Sequence, residues 1–106
     1  MDRGEVWWAR LAPPIGTRPV LLLSRSRAYR VRQSISLALI TTTIRNIPVE
    51  VPLGPEDGMP QPCVVNCDDV HTVEMSLIDN QITALSAPKM QAVAVAVRFA
   101  LGVECD

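Results

Sequence analysis

The sequence predicts a mainly β domain, a small and strongly curved antiparallel barrel followed by one C-terminal α-helix. Two patterns carry this expectation. Short apolar or alternating runs recur between residues 5 and 85, each bounded by breakers such as Gly, Pro, Asn or Asp, which is the signature of many short strands. After Ser86 the apolar spacing changes to the helical period and keeps it as far as Leu101.

The elements follow in order. Residues 5–11 are rich in Val and Trp and form a strand that the Pro13-Pro14-Ile15-Gly16 segment breaks. Residues 18–24 form a second strand, apolar almost throughout and therefore central, with Pro19 tolerated at its start because no ladder donor is needed there. Residues 26–32 alternate arginines without a strand pattern and read as a short helical or irregular crossover. Residues 34–43 make a third strand that ends in Thr41-Thr42-Thr43. In residues 48–53, Val49, Val51 and Leu53 alternate with Pro48, Glu50 and Pro52, the pattern of a half-exposed edge strand. Residues 54–60 are a loop, residues 63–66 a further strand, and residues 80–85 one more short strand. Ser86 as N-cap, Pro88 in the first turn and Gly102 as the stop define the terminal helix.

At 106 residues and 48% apolar composition, the chain is one domain, residues 1–106, able to bury a core, and disorder is excluded. The apolar stretch at residues 92–97 stops at Arg98, far short of the ~20 residues a membrane span needs. No membrane association is expected. The first residues, Met1-Asp2-Arg3-Gly4-Glu5, lack the apolar segment of a secretory signal, so a cytoplasmic location is the expectation. Cys63, Cys67 and Cys105 are an odd set and are expected as reduced thiols. Cys63, Cys67 and His71 recur at four-residue spacing, yet the paired close spacing of zinc modules is missing, so no metal or other cofactor is expected.

The net charge of −1 hides a lopsided distribution. Through residue 45 there are eight arginines against Asp2 and Glu5, and beyond it Lys89 and Arg98 stand against nine acidic residues. Arginine suits bidentate phosphate contacts and stacking on bases. The helix carries two apolar stripes, one through Met90, Val93, Ala94, Val97 and Leu101, the other through Ala92, Val95, Ala96 and Phe99. One barrel covers one stripe, so the second points to a homodimer interface.

Arg3-Gly4-Glu5-Val6-Trp7-Trp8, Arg18-Pro19 ahead of an apolar strand, the threonines at 41–43, Pro48-Val49-Glu50-Val51 and Val64-Val65-Asn66-Cys67-Asp68 together resemble the MazF/PemK family of toxin endoribonucleases across nearly the whole chain. The resemblance implies an SH3-like barrel of the CcdB/MazF type, single-stranded RNA as substrate, a cognate antitoxin as partner, and Arg18 and Thr41 as the reaction centre. Asp68 matches an acidic position that some members are proposed to use as a base, and Trp7, Thr17, Arg25, Thr42 and Arg45 are the expected RNA contacts. The chain departs from the family pattern at Asn66, where one branch has a basic catalytic residue, and at Asp69, where glutamine or asparagine is usual.

The residue chemistry agrees with this. RNA is cleaved without metal or a water nucleophile when its own 2′-hydroxyl attacks the adjacent phosphorus, leaving a cyclic phosphate and a 5′-hydroxyl end. Charge then builds on the phosphoryl oxygens, where a fixed guanidinium such as Arg18 and a hydroxyl donor such as Thr41 stabilise it. A CcdB-like toxin that poisons DNA gyrase through its C-terminal helix is the alternative, and the Arg18-Pro19 and Thr41 pairing favours the nuclease. A proline-binding SH3 module needs an aromatic groove that Trp7, Trp8, Tyr29 and Phe99 are too few to build. A serine hydrolase lacks its nucleophile elbow and has only His71 to offer.

Overall fold

A computed structural model describes residues 1–103. The strands are β1 (Glu5–Arg10), β2 (Thr17–Leu22), β3 (Ser34–Thr41), β4 (Glu50–Leu53), β5 (Cys63–Glu74) and β6 (Ile78–Ala84). A one-turn helix α1 (Ala28–Val31) links β2 to β3, and α2 (Ala87–Leu101) ends the fold. All strand pairs are antiparallel, in the order β4-β5-β3-β2-β1-β6. The sheet curls into a half-barrel whose edges are β4 and β6.

Core residues lie on both faces of the sheet, and the two-residue strand period explains how. On β3, Ala38 and Ile40 join one apolar cluster with Val6, Leu21, Val65 and Val93, while Ile35, Leu37 and Leu39 join the other with Val20, Leu22 and Tyr29. A strand buried on both faces needs an apolar residue at nearly every position, as β2 and β3 have. Leu21, Leu22 and Leu37 are fully buried, each stabilising the fold by about 1.5–3 kcal/mol relative to exposure. These central strands are therefore the rigid platform on which the site is mounted.

Helix α2 packs on β5 and β4. Ser86 Oγ accepts the Lys89 backbone N–H at 3.3 Å, Pro88 sits in the first turn, and Gly102 closes the helix in the left-handed region at φ +69°, as the sequence predicts. Val93 and Ala96 are buried, so Ala96 belongs to the face packed on the sheet rather than to the second stripe. Leu101 behaves oppositely and is exposed, with Ala100 taking its place against the core. The outward stripe is thus Ala92, Val95 and Phe99. Among the described residues no helix is long and apolar enough to cross a membrane.

Several strand limits differ from the sequence expectation, β2 ending at Leu22 rather than residue 24 and β3 at Thr41 rather than residue 43. β5 extends to Glu74 rather than ending at Asn66, because Cys67, Asp68 and Asp69 bulge between the Leu39↔Asn66 and Ala38↔Val70 pairs and pairing then resumes. β4 begins at Glu50 and β6 at Ile78. Glu50 is also buried rather than outward, since its carboxylate is used inside the fold.

Candidate active site

Strand register brings Arg18 and Thr41 together. β2 pairs with β3 at Val20↔Leu39, Leu21↔Ala38 and Leu22↔Leu37, and the same register carried two residues further sets Arg18 across from Thr41. Pro19 has no N–H to extend the ladder, so the strands part here and the two side chains stand at its open end. Arg18 is half-buried, and its Nε donates to the Ile15 carbonyl at 3.2 Å. That bond holds the stem of the side chain. Neither terminal guanidinium nitrogen has an acceptor among the described residues, so both remain available to an anion. Thr41 Oγ1 accepts the Thr43 backbone N–H at 3.1 Å, which leaves its hydroxyl proton free to donate.

The pair lines two adjoining hollows. The larger, a cleft of about 770 Å³, is walled by Trp8, Thr42, Gln81 and the Pro55–Gln61 segment, and its size falls in the ~300–1,000 Å³ range of ligand sites. The smaller, about 260 Å³, is lined by Arg45, Glu50, Asn66 and Asp69 beside Arg18, Thr41 and Thr43. Its charge is dense and mixed, with two guanidinium and two carboxylate groups around one small space. Glu50 Oε1 accepts the backbone N–H groups of Arg45 at 2.9 Å and Asn46 at 3.0 Å, and Asn46 turns through the left-handed region at φ +57°. Glu50 thereby clamps the β3–β4 loop that carries Thr42, Thr43 and Arg45. Its Oε2 is sealed from solvent with no hydrogen-bond partner.

The structure gathers Arg18, Thr41, Thr42 and Arg45 at these hollows. The other expected residues lie elsewhere. Asp68 is exposed on the bulge, its backbone N–H donating to Asn66 Oδ1 at 3.0 Å, and it lines neither hollow. Asp69 points into the smaller one instead and accepts or shares a hydrogen bond with His71 Nε2 at 2.7 Å. Trp7 packs on the opposite cluster with its Nε1 donating to Glu5 Oε1 at 3.0 Å, so Trp8 is the indole at the cleft. Thr17 is exposed opposite Arg10 and lines neither hollow, and Arg25 lies past the far end of β2 from Arg18. Trp8, Glu50, Asp69 and Gln81 are site residues that the sequence reading did not select. Adjacent Trp7-Trp8 signalled one inward and one outward indole without saying which, and nothing local marked Gln81.

Cys63 lines the cleft but is buried, and burial raises its thiol pKa, helped by the charge of Asp57. Cys67 is pushed up to about 11 by burial and then by Asp68. Both are free protonated thiols, unsuited to nucleophilic work at neutral pH. Cys105 lies outside the described residues. Among the described residues, no group of three or more His, Cys, Asp or Glu side chains is arranged to hold a metal ion.

A six-stranded curled antiparallel half-barrel backed by one C-terminal helix is the architecture of a class of small toxins. The solved M. tuberculosis toxin MazF-mt6 superposes with a TM-score of 0.88 at 33% identity, covering 95% of this chain and 99% of that one. An endoribonuclease from a mycobacterial species, solved in complex with its cognate antitoxin, superposes with a TM-score of 0.87 at 25% identity over 100% and 99% of the two chains. In sequence, the probable endoribonuclease MazF5 of M. tuberculosis is 41% identical over 98% of this chain and 94% of its own length. The chain belongs to the PemK-like, MazF-like toxins of type II toxin-antitoxin systems, whose family model matches residues 2–101.

Proposed function

We propose that this chain is an endoribonuclease toxin that cuts single-stranded RNA by attack of a 2′-hydroxyl on its own phosphodiester, without a metal, and that a cognate antitoxin restrains it. The observation that carries the reading is the Arg18 and Thr41 pair at the junction of the two hollows, with the guanidinium ends and the hydroxyl proton uncommitted. Arg18 donates to the phosphoryl oxygens as negative charge grows on them, and Thr41 adds a neutral donor on the same phosphate. A metal-activated water is not required, because the substrate brings its own nucleophile. Strands on either side of the scissile phosphate occupy the two hollows, and Trp8 offers a ring on which a base stacks.

Two features support the assembly. The outward stripe of α2 leaves Val95 55% and Phe99 63% exposed, a surface that a second copy of the chain covers. An acidic, disordered antitoxin segment suits the arginine-bearing cleft, where it takes the place of RNA phosphates. Action in the cytoplasm is part of the same reading. Family membership and the Arg18–Thr41 pairing favour this reading over a gyrase poison of CcdB type.

The test is to incubate the protein with a mixed RNA pool in the presence of a chelator and to map the new ends. Cyclic phosphate and 5′-hydroxyl ends are expected, absent when Arg18→Ala protein is used. Ends bearing a 5′-phosphate, or no cleavage, would refute the proposed chemistry.

A further inference from the structure

We infer that Asp69, positioned by His71, is the group that removes the proton from the attacking 2′-hydroxyl; the inference rests on the nuclease reading above. Arginine and threonine supply charge stabilisation, yet neither serves as a proton acceptor at neutral pH. Three carboxylates lie near the Arg18–Thr41 pair, and the geometry separates them. Glu50 lines the hollow but is buried, its Oε1 taken by two backbone N–H groups and its Oε2 sealed from solvent. Asp68 is exposed outside both hollows. Asp69 lines the same 260 Å³ space as Arg18 and Thr41, and only its Oδ1 is engaged, by His71 Nε2 at 2.7 Å. Its Oδ2 is left to accept a proton.

The bulge explains the arrangement. Were β5 regular, Asp68 and Asp69 would alternate between the two faces and His71 would sit on the same face as Asp69 but two pleats away along the strand. The unpaired Cys67–Asp69 segment opposite Leu39 and Ala38 lets Asp69 turn into the hollow while remaining within reach of the ring. An imidazole N–H on one carboxylate oxygen fixes the rotamer of the other, the positioning that proton transfer requires. The charged groups around Asp69 are Arg18 from β2, Arg45 from the β3–β4 loop, Glu50 from β4, and Asp68 and His71 from β5; β3 contributes Leu39 and Thr41, neither of which titrates in the range concerned.

In the step itself, the O2′–H proton passes to Asp69 Oδ2 as the O2′–P bond forms. The P–O5′ bond breaks, its electron pair stays on O5′, and O5′ takes a proton from solvent water. Asp69 then returns its proton to solvent.

The experiment compares steady-state cleavage of one RNA oligonucleotide by wild-type, D69N, D68N, H71Q and H71A proteins across pH. Both Asp69 and His71 are partly exposed, so these variants keep the fold, which their unfolding temperatures check. D69N should lower kcat by about 10²-fold with little change in KM and should replace the rising limb of the wild-type profile by a first-order dependence on hydroxide. D68N should stay within a few-fold of wild type. H71A should lower kcat less than D69N does and displace the limb, and H71Q, which restores a donor, should recover part of the loss. A D69N protein with wild-type kcat and pH profile, or a larger loss in D68N, overturns the assignment. Failure of the wild-type protein to cleave any RNA refutes the nuclease reading instead and is seen before any variant is compared.

Discussion

Replacing Gly58 by alanine tests how the cleft wall is built. Gly58 has φ +90°, a region that costs an L-residue about 1–2 kcal/mol. The added Cβ would lie 2.3 Å from Thr83 Oγ1 and 2.8 Å from Thr83 Cβ, distances that require β6 or the turn to shift. Thr83 Oγ1 donates to the Asp57 carbonyl at 2.9 Å, and a shift that breaks this bond costs a further ~0.5–1.5 kcal/mol. The sum, about 1.5–3.5 kcal/mol, corresponds to a fall in Tm of roughly 6–28 °C for a domain of this size. Gly58, Met59 and Pro60 all line the cleft, so KM for RNA should rise as well. Thermal unfolding at fixed protein concentration and cleavage kinetics read the two effects. Adding T83A removes the 2.3 Å contact with Oγ1 but keeps the 2.8 Å contact with Cβ, so it should relieve part of the clash and make the double variant more stable than the two single losses predict. A G58A protein that melts within 3 °C of wild type, or a T83A background that gives no relief, would refute the steric argument.

Arg18→Lys should nearly abolish cleavage while leaving the Tm close to wild type, because a point charge replaces a fork able to reach two phosphoryl oxygens; Thr41→Val should cost about 2–4 kcal/mol of transition-state stabilisation, read as kcat/KM, and an equal loss from Thr42→Val alone would shift the assignment by one residue. Phe99→Glu on the outward stripe of α2 should yield monomers in sedimentation without unfolding the sheet, and an unchanged sedimentation coefficient would remove that stripe from the interface. Cys67, raised from 9.0 to about 11 in the folded state, contributes stability that is full below pH ~9 and lost as pH rises towards ~11, because the unfolded thiol ionises first. The unfolding free energy of wild type should therefore fall more steeply over that window than that of Cys67→Ser; parallel curves would contradict the burial argument.

The sequence made the central platform legible because burial on both faces forces continuous apolar runs, and Arg18, Thr41, Thr42 and Arg45 were selected by the resemblance to the MazF/PemK family. The terminal helix was equally clear from Ser86, Pro88 and Gly102. What escaped depends on contacts remote in sequence. Asp68-Asp69 read as a strand end, whereas hydrogen bonding resumes beyond the bulge as far as Glu74. The register of β1 against β6 shifts at Val6/Trp7 and Trp7/Trp8, so simple alternation does not decide which indole meets the cleft. Glu50 looked outward by its period, but two backbone N–H groups from the preceding loop make its burial tolerable. Ala96 was placed on the outward stripe because small apolar residues fit either side of a helix that is apolar over most of its circumference.

The side chains proposed to react and the walls around them belong to different parts of the fold. Arg18 and Thr41 sit on strands locked by the core, while the walls are the β3–β4 loop and the Pro55–Gln61 turn. Loops accept changes of length and composition at little thermodynamic cost, whereas a shift of register in β2 or β3 would dismantle both core clusters at once. A lineage built on this scaffold can accordingly vary which RNA it admits by editing a few surface residues, with no need to rediscover how to break the bond. Diversification of the recognised sequence and retention of the chemistry are then separate evolutionary problems, solved on separate pieces of chain.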